Sequence, residues 1–300
     1  MSPPPGPATP VPAAPPAWVG TMPAFFVLLW STGFVSPKYG LPYADPLTFV
    51  GLRFAIVCVL FTLLAVATRA PWPKTRAEWL HGAVVAVFFH AAYLSGVFVA
   101  LEEGVSTGVT ALIVGVQPVL TAAIASRFLG ERARPRQWLG FGLGFTGVAL
   151  VVANKITLGQ GSIVGYALAG VALAGVTFGT LYQKRYLSGM DLRTGAAVQY
   201  LFGALVMAMI APLVEDMRID WTPEFIAAIA YICGIVSFVG VSVFFFMLRI
   251  GQAIRVVSLF YLIPPVTAVL GYFLFGETMG AVAIAGMALA VIGVWLVNRG

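Results

Sequence analysis

Residues 78–101 read EWLHGAVVAVFFHAAYLSGVFVAL, and apart from Glu78 and the two histidines they hold no Asp, Glu, Lys, Arg or His. A helix of this length is about 36 Å long at 1.5 Å per residue, enough to cross a hydrocarbon layer of about 30 Å. The run is continuously apolar, without the in/out alternation of a barrel strand, so a membrane-spanning helix is expected rather than a strand.

Nine further stretches of the same kind flank it, at 19–37, 46–68, 105–127, 136–153, 163–183, 192–214, 224–248, 253–275 and 280–297. Hydrophobic residues make up 60% of the 300 and charged residues 9%, against about 25% charged in a soluble domain. The expected fold is therefore all-α and polytopic, with ten transmembrane helices. The short connections leave no room for a soluble catalytic domain, and no G-x-x-x-x-G-K-[ST] phosphate loop occurs. Residues 1–18, rich in proline and free of side-chain charge, read as a disordered tail. No basic segment precedes the first apolar run, so that run reads as a retained span rather than a secretory signal. Cys58 and Cys233 both fall within spans and read as small buried side chains.

The net charge of +6 could point to nucleic acid, but its distribution points to topology instead. Thirteen of the 17 Lys and Arg residues, from Arg69, Lys74 and Arg76 to Arg249, Arg255 and Arg299, fall on the N-terminal side of the predicted spans. Lys38, Lys155 and Arg218 fall on the other side, and Arg53 lies inside a span. This is the positive-inside pattern, which places both termini in the cytoplasm and gives no reason to expect a nucleic-acid partner.

Sliding the chain against itself by 146 positions aligns Lys38 with Lys184, Asp45 with Asp191, Thr48 with Thr194, Glu78 with Glu224, Pro118 with Pro264 and Gly130-Glu131 with Gly276-Glu277. The same shift aligns Gly140 with Gly286 and Gly147 with Gly293. One offset serves residues 19–154 and 155–300, which are therefore two five-helix repeats. Five is odd, so the second copy enters the membrane upside down relative to the first. Inverted repeats of this kind are a transporter architecture with the substrate near the midplane.

The segment from Gly104 to Leu150, with Gln117-Pro118, Gly130-Glu131, Gly140 and Gly147, resembles an EamA-type signature, and Pro264 through Gly293 repeats it. With Leu52-Arg53-Phe54 in the second span, these residues resemble the drug/metabolite transporter superfamily from about residue 20 onward, and within it most of all the bacterial aromatic amino-acid exporters. That resemblance implies ten helices, cytoplasmic termini in a bacterial inner membrane, and a cavity lined by spans 1, 3, 4, 6, 8 and 9. Spans 5 and 10 are then scaffold. It implies amino acids as the small-molecule partner, a lipid bilayer as surroundings, and a monomer or homodimer.

Polar groups at membrane depth are the site candidates, since each must find a partner or water there. His90 lies near mid-depth, with Tyr93 one turn on. The pair either hydrogen-bonds a solute or is satisfied by a neighbouring helix. Gln117 precedes Pro118, and Pro264-Pro265 stands at the mirrored position. Each proline frees a carbonyl and bends its helix, so the three are hinge or gate candidates as well as packing devices. Trp30 with Phe34, Phe178 with Tyr182, and Ser258 with Tyr261 are one-turn pairs suited to a flat apolar side chain, or to core and lipid contact. Arg53 either attracts an anionic solute or snorkels and bonds carbonyls of a neighbouring helix; its uncharged repeat mate Gln199 argues against a symmetric anion clamp, so it reads as a structural cation.

Gly142 to Gly147 matches G-x-G-x-x-G, but no strand precedes it, and close helix packing explains the glycines better than a dinucleotide. The acids fall at helix starts, ends and loops, so no mid-depth carboxylate is on hand for proton or sodium coupling. Neither a cofactor nor a metal is expected. An intramembrane enzyme would need converging nucleophile, base or metal ligands, and there are only two histidines and no H-E-x-x-H. The expected function is export of aromatic and other neutral amino acids by alternating access, the alternative being export of cationic or neutral drugs.

Overall fold

A computed structural model of the chain describes residues 20–33, 37–105, 107–153, 161–275 and 280–299. Among the described residues, helix occupies all ten predicted stretches. These helices are α1 (Met22–Gly33), α2 (Pro46–Ala67), α3 (Arg76–Glu102), α4 (Thr107–Val114 and Gln117–Phe128), α5 (Pro135–Val152), α6 (Ile163–Tyr186), α7 (Leu192–Val214), α8 (Pro223–Ile250), α9 (Ala253–Ser258 and Ile263–Phe275) and α10 (Ala281–Arg299). Among the described residues, eight of them are long and apolar enough to cross a membrane. The described part of α1 is a shorter apolar helix of 12 residues. The 18 residues of α5 begin with Pro135, Arg136 and Gln137, which dilute its apolar character.

Local sequence sets the helix starts. Thr75 and Glu78 form a reciprocal capping box at α3, Ser162 accepts from Gly165 N at α6, and Thr222 accepts from Phe225 N at α8. Each such cap satisfies an amide the first turn leaves open. Pro46, Pro135 and Pro223 occupy the first turns of their helices, where a missing N–H costs nothing.

The repeats meet reciprocally. At one end, Asp45 N donates to Arg218 O at 3.2 Å and Arg218 N to Asp45 Oδ2 at 2.8 Å. At the other end, beside Asp191, Thr194 Oγ1 donates to Pro71 O at 2.8 Å. Repeat mates Asp45 and Asp191 thus lie at opposite ends of the bundle, as the odd number of helices per copy requires. The α5/α10 contact follows the same rule. A Cβ on Gly147 would stand 2.6 Å from Gly286 O, and one on Gly293 would stand 2.6 Å from Gly140 O. Two pairs of mates exchange contacts crosswise, which is what a twofold axis produces, and only glycine lets the backbones come that close.

Three features depart from regular helices. Helix α4 is interrupted at Gly115-Val116, just before Gln117-Pro118, and α9 passes through a tighter turn at Leu259–Leu262, just before Pro264-Pro265. These interruptions stand just ahead of the prolines, at mirrored positions. The third is a wide, π-helical segment in the middle of α3 (Ala86–Ala92) and another in α8 (Ile232–Gly240). Their first residues, Ala86 and Ile232, are also one repeat apart.

Candidate transport site

Each π segment carries one polar residue buried in the bundle interior, His90 on the first and Ser237 on the second. His90, on the first, is 1% exposed. Its Nε2 lies 3.3 Å from Gln199 Oε1, and Gln199 Nε2 donates to Gln183 Oε1 at 3.0 Å. Because an amide oxygen can only accept, this arrangement assigns the imidazole proton to Nε2. Aromatic rings enclose the imidazole, with Tyr200 at 4.4 Å, Phe89 at 5.1 Å and Phe54 at 5.8 Å between centroids.

Ser237, on the second π segment, accepts from Arg53 Nε at 2.7 Å. Cys233, on the same segment, places its thiol 3.8 Å from Arg53 O. Arg53 is about 10 Å along α2 from its start, and Gln199 is about 10 Å along α7 from the opposite end of the bundle. The two polar pairs therefore bracket the middle of the bundle.

On one flank stands an aromatic cluster. Trp30 lies 5.1 Å from Phe26, 5.6 Å from Phe244 and 5.5 Å from Phe260, and Phe89 lies 5.6 Å from Phe244. The Tyr93 ring lies beside the same cluster, 6.3 Å from Phe89. From the end of the bundle rich in Lys and Arg, a narrow cleft with room for about one water molecule runs inward past Asp191 and Leu187 to Gln183, Gln199 and Phe245. The Arg193 side chain donates to Asp191 on its rim from Nη2 at 2.7 Å and Nε at 3.0 Å, which holds that carboxyl below its usual range. Small-molecule sites occupy about 300–1,000 Å³, so helices must part before this cleft admits a solute.

The candidates from the sequence divide. Trp30, His90 and Tyr93 lie around one centre, next to Arg53. Gln117 is buried against α6, where its Nε2 donates to Thr180 Oγ1 at 3.4 Å, one turn before Gln183. Its Oε1 has no hydrogen-bond partner, nor have the hydroxyls of Thr110 and Thr121 on the same helix. Ser258 accepts from Asn298 Nδ2 of α10 at 3.1 Å, and the Tyr261 ring lies against Gly144 of α5, so both face the helices expected to be scaffold. Phe178 is 37% exposed and forms an outer ladder with Phe88 and Tyr182. Tyr182 OH meets His81 Nδ1 at 2.7 Å. Phe34 lies outside the described residues.

Sequence reasoning missed Gln183, Gln199, Tyr200 and Ser237 as members of the centre. The signal for Gln199 was the 146-residue offset that pairs it with Arg53.

Both halves of the chain match the EamA-like transporter family, over residues 20–153 and 162–299. A Bacillus subtilis protein described as an uncharacterized transporter, YvbV, is 29% identical over 284 residues, covering 92% of this chain and 90% of its own. The uncharacterized inner membrane transporter YedA of Escherichia coli K12 is 25% identical, covering 94% and 90%. A probable amino-acid metabolite efflux pump of Salmonella typhimurium is 24% identical, covering 92% and 93%. One solved crystal structure superposes with a TM-score of 0.80 at 18% identity, over 94% of this chain and 97% of its own, a likeness of fold.

Proposed function

The chain belongs to the EamA-like transporter family, and we propose that within it this protein exports aromatic and other neutral amino acids across a bacterial inner membrane, with both termini in the cytoplasm. It is a multi-pass membrane transporter. The observation that carries the narrower reading is the hydrogen-bonded run His90–Gln199–Gln183, set among aromatic rings and leading to a cleft at the basic end. Amide and imidazole groups match amino-acid polar groups, and the rings around them match a flat apolar side chain. The Salmonella relative's description as a probable amino-acid metabolite efflux pump supports the same class.

Alternating access supplies the mechanism. Solute enters from the basic end past Asp191, displaces the Gln183–Gln199 contact, and reaches the rings around His90. The prolines of α4 and α9 and the paired π segments are the places where helices change course, and rocking about them exchanges the open end. The acids lie at helix ends and loops, so movement follows the solute's own gradient.

Purified protein in liposomes loaded with labelled phenylalanine or threonine tests this. Efflux should saturate, and His90→Ala or Tyr93→Ala should slow it about tenfold; unchanged rates in both variants would remove this centre from the pathway. Accumulation against a gradient under an imposed pH difference would overturn the uncoupled mechanism. Competition by organic cations but not by amino acids would favour drug export.

A further inference from the structure

We propose that the Arg53 guanidinium binds the carboxylate of the transported solute, between the two π segments. The proposal rests on the transport reading above and adds to it the group that is recognised and the residue that recognises it.

Arg53 is 7% exposed and sits in the membrane-spanning part of α2. A guanidinium offers five N–H donors and stays protonated, yet among the described residues the hydrogen bond its side chain makes is the one from Nε to Ser237 Oγ. Among the described residues no carboxylate faces it. The titratable side chains in its field are Tyr200, Cys233 and Tyr93, with His90 beyond, and none of them is an anion at neutral pH. The acids of the chain stand at helix starts, ends and loops. A buried cation without a counter-ion is costly, and a polar anchor needs no charge.

The position suits a ligand. Ser237 belongs to one π segment and His90 to the other, and π segments accumulate at functional sites. The repeat mate on the opposite side is the neutral amide Gln199. One end of the centre therefore favours an anionic group, while the other is neutral. A carboxylate held at Arg53 leaves the apolar part of the solute to the rings of Phe54, Phe89 and Tyr200.

The test uses the full chain in lipid nanodiscs and three probes sharing a phenyl ring: L-phenylalanine, L-phenylalaninamide and 3-phenylpropionate. Thermal unfolding and competition with labelled efflux are read for each. Phenylalanine and 3-phenylpropionate should bind at least tenfold more tightly than the amide. In Arg53→Gln that preference should shrink to within twofold. Should Arg53→Gln not fold, Arg53→Lys decides, because a lysine loses the bidentate fork; acid affinity should fall several-fold with the amide unchanged. Equal binding of acid and amide by the native chain, a preference retained in Arg53→Gln, or undiminished acid affinity in Arg53→Lys each overturns the proposal. Binding of 3-phenylpropionate through Arg53 without amino-acid efflux supports this proposal and sinks the amino-acid reading. Efflux of amino acid and amide alike does the reverse, and no binding by any probe removes both.

Discussion

Arg53 and Gln199 stand 146 residues apart at equivalent places in the two repeats, and each reaches into the π segment of the other half, Arg53 to Ser237 at 2.7 Å and Gln199 to His90 at 3.3 Å. The pseudo-twofold axis thus brings two side chains of the same origin but different charge to one centre. Duplication built the symmetric frame, and the difference between guanidinium and amide gives the centre a direction.

The first prediction concerns the amide. Replacing Gln199 by Leu leaves His90 Nε2 and Gln183 Oε1 buried without their present partner, and an unsatisfied buried polar group costs about 1–3 kcal/mol. Thermal unfolding of Gln199→Leu should show a loss in that range, and efflux should slow with it. Native stability in this variant would mean the two groups find other partners, and the centre would be less fixed than drawn.

The second concerns the glycine seam of α5 and α10. A Cβ on Gly147 would lie 2.5 Å from Ala290 N and one on Gly293 would lie 2.5 Å from Gly144 N, both against backbone, whereas one on Gly142 meets nothing within 4 Å. Overpacking of this kind costs typically 1–3 kcal/mol. Gly147→Ala and Gly293→Ala should each lower the unfolding midpoint in detergent, while Gly142→Ala leaves it in place. Equal effects at all three positions would argue against a tight seam.

What the sequence disclosed follows from which physics leaves a mark on it. Lipid demands long apolar helices, so the ten stretches were legible, and duplication left matching polar residues at one offset. Prolines mark where α4 and α9 are interrupted. The π segments were not legible, because AVFFHAA (86–92) and ICGIVSFVG (232–240) share no residue type that marks the extra backbone turn. Nor could aromatic pairs be sorted. In lipid the outward face is as apolar as the inward one, so Phe178 with Tyr182 on an outer flank and Trp30 at the centre look alike in sequence.

The third prediction tests which end faces which compartment. Lys74 precedes α3 at the basic end and Arg218 precedes α8 at the other. In a background with Cys58 and Cys233 replaced, Lys74→Cys should react with an impermeant maleimide only in inverted vesicles, and Arg218→Cys only in intact cells. Labelling of both from one side would dismantle the inverted arrangement.

The fourth concerns how the basic end is held. The Glu131 carboxylate, on the connection after α4, accepts from Ala253 N at 3.1 Å and Ile254 N at 3.3 Å, so it caps α9 from another part of the chain. Close by, Lys184 Nζ donates to Leu248 O at 2.5 Å and Gly251 O at 2.6 Å, fastening α6 to the end of α8. Together these ties join α4, α6, α8 and α9 beside the cleft mouth. Loss of a cap costs about 1 kcal/mol, and a bias of that size shifts a two-state equilibrium about fivefold. If the ties favour the narrow state of the cleft, Glu131→Ala should raise the labelling rate of Leu187→Cys, on the cleft wall, about fivefold. A lowered unfolding midpoint with an unchanged labelling rate would show instead that Glu131 holds up the helix without governing access, and the latch would have to be sought at Lys184.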